Sequence, residues 1–197
     1  MLISSEHKQR QKGFTIVELL IVVVVIAILA AITIIAFSGV TQRANNSKRI
    51  SEAGSLIKLI KLYRAQYDVW PSTAATIFCA GDSSLGACNN VTTPPYANVT
   101  FEPLNTELRK VGTLPTISSA PVQISGAKML GPVYQYRSSN TVDGVAGVKL
   151  IMILYWLEGQ SQNCSAGAPI VTGTAGTYTT STTGYTSNSG NGTLCQA

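Results

Sequence analysis

The sequence predicts an α+β protein in which one long N-terminal helix packs on a small antiparallel sheet. Three observations carry this. Residues 14–37 form an apolar run broken only by Thr15, Glu18 and Thr33. From Arg43 to Tyr67 apolar residues recur at helical spacing, and no proline intervenes before Pro71. Beyond a stretch rich in glycine and proline, β-branched and aromatic segments alternate with turn residues.

The apolar run is the first element. At about 1.5 Å per residue it is long enough to cross a hydrocarbon core about 30 Å thick. Val22 to Val25 are β-branched and would weaken a helix in water. Lipid offers the backbone no hydrogen-bond partner, so the helix prevails there. Glu18 does not belong in such a run, because a carboxylate deep in a bilayer costs on the order of 3 kcal/mol. It requires a position near the headgroups, a cationic partner or a proton. A cut between Gly13 and Phe14 would create a new amine at Phe14, with a reference pKa of roughly 8. That amine stands four residues before Glu18, or faces the Glu18 of a neighbouring subunit.

Residues 1–13 read as a targeting segment. Lys8, Arg10 and Lys12 directly precede the apolar run, and the positive-inside rule keeps this end cytoplasmic. A conventional secretory signal, cleaved somewhere between Ala27 and Ala31, is the rival. The run stays apolar past that point, which opposes it.

Gly13-Phe14-Thr15-Ile16-Val17-Glu18 resembles the class III signal peptide of type IV pilins and their relatives. The resemblance covers Gly13 to about Phe37. It implies a basic leader removed after Gly13 by a prepilin peptidase, and N-methylation of the Phe14 amine. It also implies that Glu18, at the fifth mature position, is the glutamate that neutralises the amine of an adjacent subunit during assembly. A lollipop plan, with half the helix in membrane or filament core and half against a globular head, is implied as well. The bland alternative is an ordinary signal anchor with a chance glutamate. One departure stands out. The family often carries a proline where this chain has Ile35, and Gly39 is then the nearest soft spot.

In the second half of the helix, Ile50, Ala53, Ile57, Ile60 and Tyr67 form the apolar stripe expected to face a sheet. Lys58, Lys61 and Arg64 are expected to face elsewhere, with Arg49 and Glu52 near the start of that polar side. Gly54 is a weak point, costing about 1 kcal/mol relative to alanine. One helix from about Phe14 to about Tyr67 would be of order 80 Å long. Trp70-Pro71 ends it. The expected organisation is a leader over 1–13, a transmembrane or filament-core helix over 14–40, an amphipathic half over 41–70 and a globular head over 71–197.

The residues that follow, with Gly81, Gly86, Pro94 and Pro95, read as a loop. A short helix is expected around Leu104 to Val111, begun near Pro103 and ended by Gly112. Val133 to Arg137 and Val148 to Leu157 read as strands, with Ser139 to Gly144 as a hairpin connection. The second of these is apolar at nearly every position, as suits a central strand, and at ten residues it is too short to span a membrane as a helix. Near the C-terminal end, Thr, Ser, Gly and Asn dominate, and a strand is expected from Thr177 to Tyr185. That surface either binds a partner or is a solvated edge.

Four cysteines allow three pairings. An exported head would favour disulfides. The expected pairs are Cys79–Cys88, closing a short loop, and Cys164–Cys195, enclosing the polar tail. The chain-entropy model gives roughly 3 and 4 kcal/mol for them. Zinc is disfavoured, since there is no Cys-x-x-Cys pair and His7 is the sole histidine.

Chemistry finds little support. With no histidine beyond the leader, the commonest general base is missing. The acids after Glu18 are scattered, Asp82 and Asp143 sit beside glycines where turns explain them, and no phosphate loop follows a strand. No catalytic residue and no cofactor is expected. Net charge is +5, but part of it belongs to the leader, so no nucleic-acid partner is assignable. Sequons at Asn90, Asn98, Asn163 and Asn191 are at the level chance gives in so Asn- and Thr-rich a chain.

The expected function is therefore a structural subunit of a type IV pilus. Its expected partners are membrane lipid before assembly, the prepilin peptidase, the pilus assembly platform and, in the filament, other copies of itself. It is a single-pass cytoplasmic-membrane protein at first and part of an extracellular filament afterwards. Two alternatives stay open: a pseudopilin of a type II secretion or competence machine, and a single-pass anchored binding protein or adhesin.

Overall fold

A computed structural model describes residues 13–74, 76–83, 88, 103–117, 121–124, 126–174, 176–189 and 192–197. The basic leader before Gly13, most of the loop with Pro94 and Pro95, and the sequons at Asn90, Asn98 and Asn191 lie outside these residues. The chain forms two compact units, residues 1–41 and 42–197.

The first unit consists of the opening turns of helix α1 (Ile16–Tyr67). This helix is long and apolar enough to cross a membrane. Its large apolar side chains stand open, from 48% exposure at Val24 and Val25 to 85% at Ile16. The few hydroxyls turn back onto the helix, with Thr33 Oγ1 donating to the Leu29 carbonyl and Thr41 Oγ1 to that of Phe37. Both of these hydroxyls thus have a partner without water, as an apolar medium demands.

In the second unit the rest of α1 lies on the sheet. Ala53, Leu56, Ile57, Leu59, Ile60 and Tyr63 are buried there. The expected stripe is corrected at two points. Tyr67 is 40% exposed, because Leu56, Leu59 and Tyr63 continue the buried face while Tyr67 only lies against the Tyr63 ring at 4.6 Å. Arg49 and Glu52, expected on the polar side, are buried. Arg49 tolerates this because it reaches Glu158 Oε1 at 3.2 Å and Asn46 Oδ1 at 3.3 Å. Gly54 has a packing reason, since a Cβ there would meet the Ala166 carbonyl oxygen at 3.1 Å. The helix stops where Asp68 turns to φ 55°, and Arg64 holds that turn through Asp68.

The remaining elements are β1 (Ile77–Cys79), α2 (Leu104–Arg109), β2 (Val122–Ile124), β3 (Ala127–Met129), β4 (Val133–Val142), β5 (Val145–Glu158), β6 (Ile170–Thr174), β7 (Thr177–Ser181), β8 (Ser187–Ser189) and β9 (Gly192–Gln196). One sheet runs β6-β7-β4-β5-β9-β8, with β1 also on β4, and β2 and β3 make a separate hairpin. All pairings are antiparallel except β4 with β7, which meet in parallel at Thr141–Thr177 and Val142–Tyr178. The expected connection from Ser139 to Gly144 shrinks to two residues. Asp143 and Gly144 both take positive φ, as a tight hairpin turn between right-twisted strands requires, and the strands run on to Val142 and Val145.

The apolar character of β5 follows from burial on both faces. Ile153, Tyr155 and Leu157 meet the helix side, while Met152 packs with Val171 and Tyr178 on the other. The helix α2 is fixed by its polar side chains. Buried Asn105 grips Gly81 twice, accepting its N–H at 3.2 Å and donating to its carbonyl at 3.0 Å. Glu107 accepts from Tyr63 and pairs with Lys110 at 2.6 Å. Disulfides join Cys79 to Cys88 and Cys164 to Cys195. After Glu158 the sequence has no Asp, Glu, Lys, Arg or His, so β6 to β9 contain no formally charged side chain.

Candidate assembly site

The residues singled out around the proposed processing point lie together at the start of α1. Gly13 and Phe14 precede the helix, and Thr15 is its N-cap. The first N–H groups of any helix lack internal partners. Here Thr15 Oγ1 accepts from the Glu18 N–H at 3.2 Å, while Glu18 Oε2 accepts from the Thr15 N–H and from Thr15 Oγ1, both at 2.8 Å. This is a reciprocal capping box, Thr-x-x-Glu immediately before an apolar run. The negative carboxylate also lies at the end of the helix where the peptide dipoles favour it.

The sequence-based expectation seeks a partner for Glu18 at the headgroups or the Phe14 amine, and the structure adds a nearer one in Thr15. The signal was present, since a threonine three residues before a glutamate at the head of an apolar segment is the box's own pattern. Glu18 is thereby held at a defined place by its own turn.

Around this box Phe14 and Ile16 are each 85% exposed and Val17 is 66% exposed. Gly13 is not held to glycine by the fold. A Cβ there would meet nothing within 4 Å, and its φ is not positive. Elsewhere, no group of three or more His, Cys, Asp or Glu among the described residues is placed to hold a metal ion.

The prokaryotic N-terminal methylation motif matches residues 8–34, which bracket the capping box. Fimbrial protein EcpC of Eikenella corrodens is 40% identical over 68 residues, 34% of this chain and 44% of that protein. The type IV wide pilus major component PilA4 of Thermus thermophilus is 36% identical over 90 residues, 46% of this chain and 61% of its own length. Type II secretion system core protein G of Pectobacterium carotovorum is 31% identical over 64 residues, 32% of this chain and 41% of its own. The chain thus spans about half the length of the curated relatives it matches. No solved structure matches it significantly.

An apolar helix opened by a threonine–glutamate box and continued onto an antiparallel-rich sheet defines a class of proteins with a helical N-terminal segment and a sheet-built head. Over its N-terminal third to half, with the methylation motif at its head, the chain is similar to type IV pilins and to type II secretion core proteins. Those relatives are structural proteins, not enzymes.

Proposed function

We propose that this chain is a structural subunit of a type IV pilus filament. The observation that carries the reading is the apolar segment from Phe14 to Val40, whose described large apolar side chains are about half or more exposed and whose helix opens on the Thr15–Glu18 box. So much apolar surface requires lipid or copies of itself as a neighbour. In this reading a prepilin peptidase cuts after Gly13 and the amine of Phe14 is methylated. The subunit then rests in the cytoplasmic membrane with its N-terminus on the cytoplasmic side. An assembly platform passes it into the filament, where residues 14–40 pack in the core and residues 41–197 supply the outer parts. Glu18 fixes axial register by meeting the Phe14 amine of a neighbour. The indifference of the fold to a side chain at position 13 supports the idea that glycine there serves the peptidase.

The relatives named for type II secretion support a second reading, in which the same N-terminus builds a short secretion fibre. Intact mass and N-terminal sequencing of the protein in material sheared from cells separate the two. The pilus reading expects a chain beginning at methylated Phe14 in the sheared polymer. A processed chain absent from that fraction favours the secretion fibre. A chain that keeps its leader overturns both.

A further inference from the structure

Strand β4 is flanked unevenly. On one side β5 accompanies it from Val133 to Val142, with register shifts between Arg137 and Asn140 and between Asn140 and Val142 that leave Ser138 and Ser139 without a partner in the ladder. On the other, β1 covers Val133 to Gln135 and β7 covers Thr141 and Val142. Between them Tyr136 to Asn140 have no strand neighbour on that side among the described residues. At about 3.3 Å per residue this gap is some 16 Å long. A cleft of about 380 Å³ occupies it, lined by Arg137, Ser138, Ser139, Asn140 and Gly176. The Gly176 carbonyl accepts from the Thr141 N–H at 2.7 Å and closes one end.

Arg137 gives the cleft a charge. Its guanidinium lies 5.8 Å from the Tyr178 ring centroid, and its Nε is buried without a hydrogen-bond partner. Arg49, Arg64 and Arg109 each reach a carboxylate, on Glu158, Asp68 and Asp82. Arg137 reaches none among the described residues. An arginine held by an aromatic ring, with donors left over, is arranged to receive a planar acid.

We propose that this cleft binds an extended peptide segment bearing a carboxylate, which lies beside β4 as an added strand and pairs its acid with Arg137. Apart from the Arg137 carbonyl, which already accepts from Asn140 Nδ2 at 3.2 Å, this strand edge offers main-chain partners, and an arginine on one face selects the side chain that alternates onto that face. The neighbouring Ser138 and Ser139 are exposed and offer hydroxyls at the mouth of the cleft. This site lies within the second unit and does not depend on the filament reading.

The test is anisotropy titration of the full chain in detergent with a labelled, amidated pentapeptide, Thr-Val-Glu-Val-Thr. Its lysine counterpart and a version N-methylated along one edge are the comparison probes. The glutamate peptide should bind saturably, and Arg137→Ala should weaken it by about tenfold or more. Arg137→Lys should retain part of the binding, which guards against a variant that merely misfolds. Amide signals of Ser138, Ser139 and Gly176 should shift on titration. Equal binding of the lysine peptide, or binding unchanged in Arg137→Ala, overturns the role of the acid. Undiminished binding of the N-methylated peptide overturns strand addition, and no saturable binding overturns the site.

Discussion

Asn46 meets Glu158 as a neighbouring strand would, its Nδ2 donating to the Glu158 carbonyl at 2.9 Å and its Oδ1 accepting the Glu158 N–H at 2.8 Å. The last residue of β5 has therefore found its backbone partners on a helix side chain. Gln42 adds a bond to the same carbonyl at 2.8 Å, and Arg49 takes the carboxylate. One residue thus ties three successive helical turns to the sheet. Asn46→Ala would leave the part-buried N–H of Glu158 without its Asn46 partner, and we expect a loss of about 1–2 kcal/mol in denaturant unfolding of the detergent-solubilised chain. Gln42→Ala, which leaves the carbonyl its Asn46 bond, should lose less than half as much. Equal losses would mean that the pairing with Asn46 has no special weight.

The box at the helix start separates two effects that Glu18 alone would confuse. Thr15→Ala removes the cap, at a cost of about 1 kcal/mol to the first turn, and should speed amide exchange at Ile16 to Leu19. Thr15→Ser should not. Glu18→Ala should leave the melting of the second unit unchanged while abolishing filaments. Normal filaments from that variant would sink the register role.

Tyr63 and Glu107 predict a pH dependence of opposite sign at the two ends of the scale. The hydrogen bond to Glu107 lifts the Tyr63 hydroxyl to about 12. The bond from Lys110, and then that from Tyr63, holds the Glu107 carboxyl below its ordinary value of 4.5. A raised tyrosine contributes stability that is whole below its ordinary pKa of 10.0 and fades as pH climbs towards 12. A lowered carboxyl contributes stability that is present above 4.5 and fades as pH falls through its folded value. Tyr63→Phe should flatten the alkaline limb of a stability–pH curve, and Glu107→Gln should flatten both. An alkaline limb that Tyr63→Phe leaves untouched would refute the assignment. Asp143 adds to the acid limb, since bonds from the Thr180 hydroxyl and N–H keep its carboxyl low.

The bridge between Cys164 and Cys195 ties a loop to β9, 31 residues further on. Removing it by a paired change to serine should cost about 2–5 kcal/mol. The nine-residue separation of Cys79 and Cys88 closes a smaller loop, so the same change there should cost less. Thermal unfolding of the two variants gives the order, and a reversed order would show that strain or residual structure outweighs loop entropy.

Much of the architecture was legible because it is local. The apolar run, its change to a periodic pattern and Trp70-Pro71 announce α1, and the apolar continuity of Val148 to Leu157 announces a strand covered on two faces. The chain did not announce the burial of Arg49 and Glu52. Charge reads as solvent-facing unless a distant partner is known, and Glu158 stands 109 positions from Arg49. Strands β6, β8 and β9 were hidden for a related reason. Their threonines, serines and glycines carry no alternation of polarity, and pairing alone makes them strands, β6 with β7, β9 with β5 and β8 with β9. The Thr15–Glu18 box is legible too, since a threonine three residues before a glutamate at the head of an apolar run is a local pattern.

The strands beyond Glu158 have a consequence for the conditions this surface meets. Thr177, Thr179, Thr180, Ser181, Thr183 and Asn188 are all exposed there, and no formally charged side chain stands among them. The hydroxyls and amides of these residues carry no charge themselves, and the charges beside them come from β4 and its turn, Asp143 at Thr180 and Arg137 over the Tyr178 ring. A contact made through Thr177, Thr179, Ser181, Thr183 and Asn188, away from Asp143 and Arg137, should therefore depend little on ionic strength.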